Sequence, residues 1–117
     1  MQLTEITYDL AKPIDGYGPG FFRIDGRVLH GACLITPWGA GAWGGLEDTA
    51  GPLDLAGKID VLFIGMGAEI AHVPAAFRDQ IEAAGIGVEV MNSPAAARTY
   101  NVLLSEGRRI AAALLPV

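Results

Sequence analysis

The chain is poor in the residues that usually announce a reaction. Its 117 residues include one cysteine, Cys33, two histidines, His30 and His72, and no basic run longer than Arg108-Arg109. A lone thiol can form no internal disulfide and offers no second thiolate to a metal cluster, which fits a reducing compartment. The two histidines stand in no spacing that resembles a zinc or iron site, so no metal and no cofactor is expected. Charged residues make up only 18% and sum to −5. The positive footprint that binding to a phosphate backbone requires is missing, which excludes nucleic acid as an expected partner. Long hydrophobic runs are missing too. The most apolar stretches, 61–68 and 110–117, fall far short of the roughly 18–20 residues of a bilayer-spanning helix. The amino terminus, Met1-Gln2-Leu3-Thr4-Glu5, has neither the basic and apolar regions of a secretory signal nor the Arg-rich character of a transit peptide. The expectation is a cytoplasmic protein without a transmembrane segment.

What the chain has in excess is glycine, 16 residues, about twice ordinary usage. The glycines follow no G-X-Y period, and 51% of the chain is hydrophobic. Collagen-like and disordered readings are therefore excluded. Length and the lack of any linker point to a single domain over residues 1–117.

Residues 3–8 alternate apolar and polar side chains and read as an edge strand. Residues 13–20 are turn chemistry. Two strands at 21–24 and 28–35 flank Asp25-Gly26, the strongest short hairpin signal, because a type I′ turn needs positive φ at both central positions. Residues 36–52 return to loop composition, with Trp38 and Trp43 among Gly39, Gly41, Gly44 and Gly45. After a short helical turn from Leu53, the pattern reads strand 59–64, helix 74–84, strand 86–91, helix 94–106 and strand 108–115. Strands alternating with helices of this length imply βαβ crossovers, and continuous runs such as Val61-Leu62-Phe63-Ile64 mark strands covered on both faces. The hairpin half is expected to pack beside or across that sheet.

Chemistry has two places to sit. Gly65-Met66-Gly67 follows a strand directly, but a dinucleotide fingerprint wants a third glycine and an immediate helix, and here six residues intervene before Pro74. The other reading is a strand exit that needs close backbone packing. Asn92-Ser93-Pro94 opens the second helix, with Ser93 expected at the N-cap and Pro94 at N1. Free amides and the macrodipole at a helix N-terminus can hold an anion, and two loops at the carboxyl ends of neighbouring parallel strands form the usual ligand crevice. Plain capping is the alternative. On that helix Ala96, Ala97, Tyr100, Leu103 and Leu104 share the core face, with Arg98, Asn101 and Ser105 opposite. Arg98, in the first turn, opposes the macrodipole, so either it is a solvated charge or an anion or a partner compensates it. Cys33, between Ala32 and Leu34, reads as a buried, inert thiol. No catalytic set emerges. Trp38 and Trp43 either lid the core or anchor an interface.

Three stretches together carry a resemblance: Gly65-Met66-Gly67, the run Gly85-Ile86-Gly87-Val88-Glu89-Val90-Met91-Asn92-Ser93, and the run Ala96-Ala97-Arg98-Thr99-Tyr100-Asn101-Val102-Leu103-Leu104-Ser105-Glu106-Gly107-Arg108-Arg109-Ile110-Ala111-Ala112-Ala113-Leu114. With Ile14-Asp15-Gly16-Tyr17-Gly18-Pro19-Gly20-Phe21, they resemble the domain-of-unknown-function 498 family, which includes the mitochondrial NADH dehydrogenase (complex I) assembly factor 3. The resemblance implies an α/β fold of three layers, a mixed central sheet with helices on both faces, plus an N-terminal antiparallel β-hairpin. It implies no established activity. Two function classes follow. One is a non-enzymatic interaction or assembly protein using Trp38, Trp43, Arg98 and Asn101 as contact surface, with respiratory complex I as the assembly the resemblance implies. The other is a small-molecule or anion site, binding or catalytic, at Gly65, Met66, Gly67, Asn92 and Ser93, with Arg98 neutralising an anion. A protein partner is expected under the first, and a homodimer is compatible with either.

Overall fold

A computed structural model describes residues 12–117 of the chain; the strand expected at 3–8 lies outside the described residues. The elements run β1 (Ile14–Gly18), β2 (Phe21–Ile24), β3 (Arg27–His30), β4 (Cys33–Thr36), β5 (Gly39–Ala42), α1 (Ala50–Leu53), β6 (Val61–Met66), α2 (Ala75–Ala83), β7 (Gly87–Met91), α3 (Ser93–Ser105) and β8 (Ile110–Leu115). They form a small sheet ordered β1-β2-β3 and a larger one ordered β5-β4-β8-β6-β7.

The hairpin forms as its turn dictates. Asp25 and Gly26 both take positive φ, 52° and 74°, the conformation a type I′ turn imposes. Ile24 then faces Arg27, and Phe22 faces Leu29. The single strand expected at 28–35 is instead two. Gly31, at φ 79°, turns the chain, and its amide donates to the Gly20 carbonyl at 2.9 Å. One run of sequence therefore serves the small sheet as β3 and the large sheet as β4. The loop expected at 36–52 also holds a strand. β5 is Gly-Ala-Gly-Ala, which has little strand propensity of its own; it is carried by its register with β4, Cys33 opposite Ala42 and Thr36 opposite Gly39. The Thr36 hydroxyl closes that turn, accepting from the Trp38 and Gly39 amides and donating to the Gly39 carbonyl.

In the large sheet β6 pairs in parallel with both β7 and β8, while β4 runs antiparallel to β8 and to β5. This is the mixed central sheet. Both of its faces are covered, and the period-2 alternation divides the side chains between two cores. Phe63, Ala112 and Leu114 pack on one side with Ala96, Ala97, Tyr100 and Leu104 of α3 and with Ile14, Phe22 and Ile24 of the small sheet. Leu62, Ile64, Ala111 and Ala113 pack on the other with Phe77 and Ile81 of α2, Leu55 and Trp43. The alanines of β8 let α3 and the opposite layer approach closely. The three layers are thus α3 with the small sheet, the large sheet, and α1 with α2.

None of the described helices is long and apolar enough to cross a membrane.

Candidate functional site

The connection leaving β6 runs to α2 on one face, and that leaving β7 runs to α3 on the other. Adjacent parallel strands whose connections part to opposite faces are where open α/β sheets leave a ligand crevice. Gly65 and Gly67 meet Asn92 and Ser93 here, as the sequence suggested, but they meet each other directly. The Gly67 amide donates to the Ser93 hydroxyl at 2.9 Å, the Ser93 amide donates to the Gly67 carbonyl at 2.8 Å, and the Ser93 hydroxyl donates to the Leu115 carbonyl at 2.6 Å. Ser93 is fully buried. A Cβ on Gly65 would lie 2.6 Å from the Ser93 hydroxyl oxygen and 2.7 Å from its Cα. Glycine is needed here because backbone and side chain touch where a Cβ would stand, which is the close-packing alternative read from the sequence.

The N-cap lies one residue earlier than expected. Asn92, in extended conformation, accepts from the Ala95 amide at 2.8 Å, and Ser93 is the first helical residue. The early amides of α3 are all accounted for: Ser93 bonds Gly67, Pro94 has no N–H, Ala95 bonds the Asn92 side chain and Ala96 bonds the Asn92 carbonyl. No N–H remains at this terminus for an anion. Met66 is half-buried and packs into the core on the α2 side.

Arg98 and Asn101 do not share a surface role. Arg98 is exposed. Asn101, expected opposite the core, is half-buried and grips β1: its side-chain oxygen accepts from the Ile14 amide at 2.8 Å, and its side-chain nitrogen donates to the Ile14 carbonyl at 2.9 Å. Four residues after Ala97 and three before Leu104, it stands on the flank of the core face and not opposite it, and β1 covers that flank.

The two tryptophans also separate. Trp43 is buried, crosses Phe77 edge-on with centroids 6.0 Å apart, and donates its indole N–H to the Asp48 carbonyl at 3.0 Å. It is a core lid. Trp38, at the β4–β5 turn, is 43% exposed. Asp48 organises the loop beneath Trp43. Its carboxylate accepts from the amides of Gly44 at 2.9 Å, Ala50 at 3.1 Å and Gly51 at 3.4 Å. Those bonds, that from Gly44 first, hold its carboxyl below the usual carboxylate range. Cys33 is fully buried, and burial pushes its thiol up to about 12, the environment of an inert sulfur.

Sequence reasoning passed over the open space that does exist at this end of the sheet. A cleft of about 340 Å3 is lined by Ile70, Ala71, His72, Val73, Arg78 and Val90. The signal was the six-residue delay between Gly67 and Pro74, which counted against a dinucleotide fold and is itself the cleft wall. A smaller cleft of about 200 Å3 lies between the β2–β3 and β4–β5 turns, beside Asp25, Arg27 and Trp38.

A family model described as "Protein of unknown function (DUF498/DUF598)" matches residues 14–115. An uncharacterized protein of Rhodobacter capsulatus is 55% identical over 92% of this chain and 86% of its own length. The NADH dehydrogenase [ubiquinone] 1 alpha subcomplex assembly factor 3 of Danio rerio is 34% identical over 88% of this chain, and that of Homo sapiens is 30% identical over 91%. The match spans only about three fifths of those two relatives, 63% and 61% of their lengths. Among solved structures, one titled as an outer membrane protein from Bartonella henselae superposes with a TM-score of 0.82 at 35% identity, covering 90% of this chain and 94% of that one. A Bordetella pertussis protein described as an Mth938-like domain gives 0.76 at 27% identity, covering 99% of this chain and 92% of that one.

Proposed function

We propose, from the premise that this chain belongs to the DUF498/DUF598 family, that it is an assembly-factor-like protein that works by holding a protein partner, with a respiratory NADH dehydrogenase as the complex it serves. The observation that carries this reading is the match to assembly factor 3 of Danio rerio, 34% identical over 88% of the chain. The family model spans residues 14–115, from the first residue of β1 to the last of β8. Geometry adds to it. The groups best suited to hold a small anion, the Gly67 amide, the Ser93 hydroxyl and the first amides of α3, are bound to one another. This weighs against the alternative of a small-molecule or anion site at Gly65, Met66, Gly67, Asn92 and Ser93. The exposed Trp38 and Arg98 are open to a partner. Cytoplasmic residence and a homodimer belong to the same proposal.

The test is affinity capture with the intact chain from the cells that make it, paired with deletion of its gene. Subunits of the respiratory NADH dehydrogenase are expected on the chain, with assembly intermediates accumulating in the deletion. Capture of no such subunit, together with unaltered assembly of the complex, overturns the reading.

A further inference from the structure

The large sheet ends in β5 on one side and in β7 on the other. Along β5 the main-chain groups turn alternately toward β4 and away from it. The Trp43 amide donates to the Ala32 carbonyl, and the same register sets Leu34 opposite Gly41 and Thr36 opposite Gly39. Gly39, Gly41 and Trp43 therefore direct their amides and carbonyls at β4, and Ala40 and Ala42 direct theirs outward. No other described residue takes those outward groups. β3 stands over one face of β5, where Leu29 packs into the same core as Ala40. Gly39, Gly41 and Ala42 remain exposed.

An open edge is ordinarily guarded by charge or proline. β7 has such a guard in Glu89, exposed in the middle of the strand. β5 has none. No Asp, Glu, Lys or Arg occurs from residue 28 to residue 46, the longest such interval in the chain. Glycine weakens a strand and marks places where another backbone comes close. Neither Gly39 nor Gly41 has a positive φ, and a Cβ on either would meet nothing within 4 Å. Neither conformation nor packing among the described residues calls for glycine there. At the end of this edge Trp38 leaves 43% of its surface in solvent.

We propose that the open edge of β5 pairs, antiparallel, with the same edge of a second copy of this chain, about a twofold axis at Gly41. Ala40 of each copy then lies opposite Ala42 of the other, and each pair exchanges both of its main-chain bonds. The two outward residues stand symmetrically about Gly41, as an isologous contact requires. A chain of net charge −5 repels its copy over most of its surface, and an uncharged edge is where two copies meet without that cost. An unlike strand would be selected through its alternate side chains, and Gly and Ala offer it no pocket. Trp38 of each copy is brought against residues 42–44 of the other. The contact is short, so the dimer is expected to dissociate on the order of 10–100 μM. The inference rests on the homodimer in the reading above and gives its surface.

Sedimentation of the intact chain is expected to pass from monomer to dimer between about 1 μM and 1 mM. As the dimer fills, the Ala40 and Ala42 amides should gain protection from hydrogen exchange. Gly41→Lys and Gly41→Glu each set like charges opposite one another at the axis, and either alone is expected to weaken the dimer at least about tenfold. An equimolar mixture of the two variants should restore it, which a misfolded chain would not do. Four results overturn the inference: a monomer throughout that range, a dimer indifferent to both substitutions, a mixture that stays monomeric, or Ala40 and Ala42 amides protected equally at every concentration, as occupation of the edge by residues 1–11 of the same chain would give. Capture of NADH dehydrogenase subunits bears on the assembly reading alone and sedimentation on the edge alone, so either can fail while the other stands.

Discussion

At the scale of the residue, much of the specificity of this fold is a matter of single contacts in which one atom serves two ends. The Ser93 hydroxyl both accepts from Gly67 and donates to Leu115, so one buried oxygen ties the exits of β6 and β8 to the start of α3. Gly65→Ala places a methyl at 2.6 Å from that oxygen. It should destabilise the chain by about 2–3 kcal/mol, the upper range of overpacking, read as a fall in the urea midpoint. Asn101 acts similarly at a distance, replacing a strand neighbour for Ile14. Asn101→Ala leaves two half-buried backbone groups unpaired, at a cost of about 1–3 kcal/mol, and hydrogen exchange at the Ile14 amide should accelerate. Tyr100 behaves in the opposite way. Its ring is fully buried and its hydroxyl has no hydrogen-bond partner among the described residues, and burial raises its pKa. Tyr100→Phe removes an unsatisfied polar atom and keeps the ring, so thermal unfolding should show equal or higher stability, by up to about 1–2 kcal/mol.

Among the elements, the ones readable from sequence were those whose signal is local. Asp25-Gly26 could be little else than a hairpin turn, and the apolar runs of β6 and β8 needed cover on both faces. Boundaries set by tertiary contact were not readable. Gly31 breaks a run of strand-forming residues, because β3 and β4 belong to different sheets, and no local pattern states that. β5 is invisible to propensity, since it is a strand only through β4. Ser93 looked like a cap because Ser caps helices well, yet Asn92 next to it does so equally well, and only the approach of Gly67 decides between them. The candidate crevice was legible in its residues but not in its state, as the groups converge and then satisfy one another. The loop over α1 shows the same dependence on tertiary contact, with Asp48 holding three amides. Because its carboxyl is depressed in the folded state, it stabilises the fold above the ordinary carboxylate pKa. That contribution is lost as pH falls through the folded value. The difference in urea midpoint between the native chain and Asp48→Asn should therefore be present at neutral pH and vanish in acid.

For the whole molecule, two cores share one sheet, and Cys33, the only thiol, lies in the deeper reach of one of them. Its labelling by a thiol reagent should be slow in the native state and rise with denaturant along the same curve as global unfolding, since the sulfur is reached only when β4 leaves the sheet. Labelling that precedes unfolding would mean that β4 and β5 open as a separate unit. The strand order β5-β4-β8-β6-β7 carries a further consequence. β8, the last of the described elements, is the middle of the sheet, with Cys33 of β4 facing its Leu114 on one side and Gly65 of β6 facing the same residue on the other. During synthesis the β4–β5 hairpin and the β6–α2–β7 unit emerge as two pieces with no strand between them. The sheet closes only once residues 110–115 have left the ribosome, and until then the facing edges of β4 and β6 are open to any chaperone, or any neighbouring nascent chain, that offers them a strand.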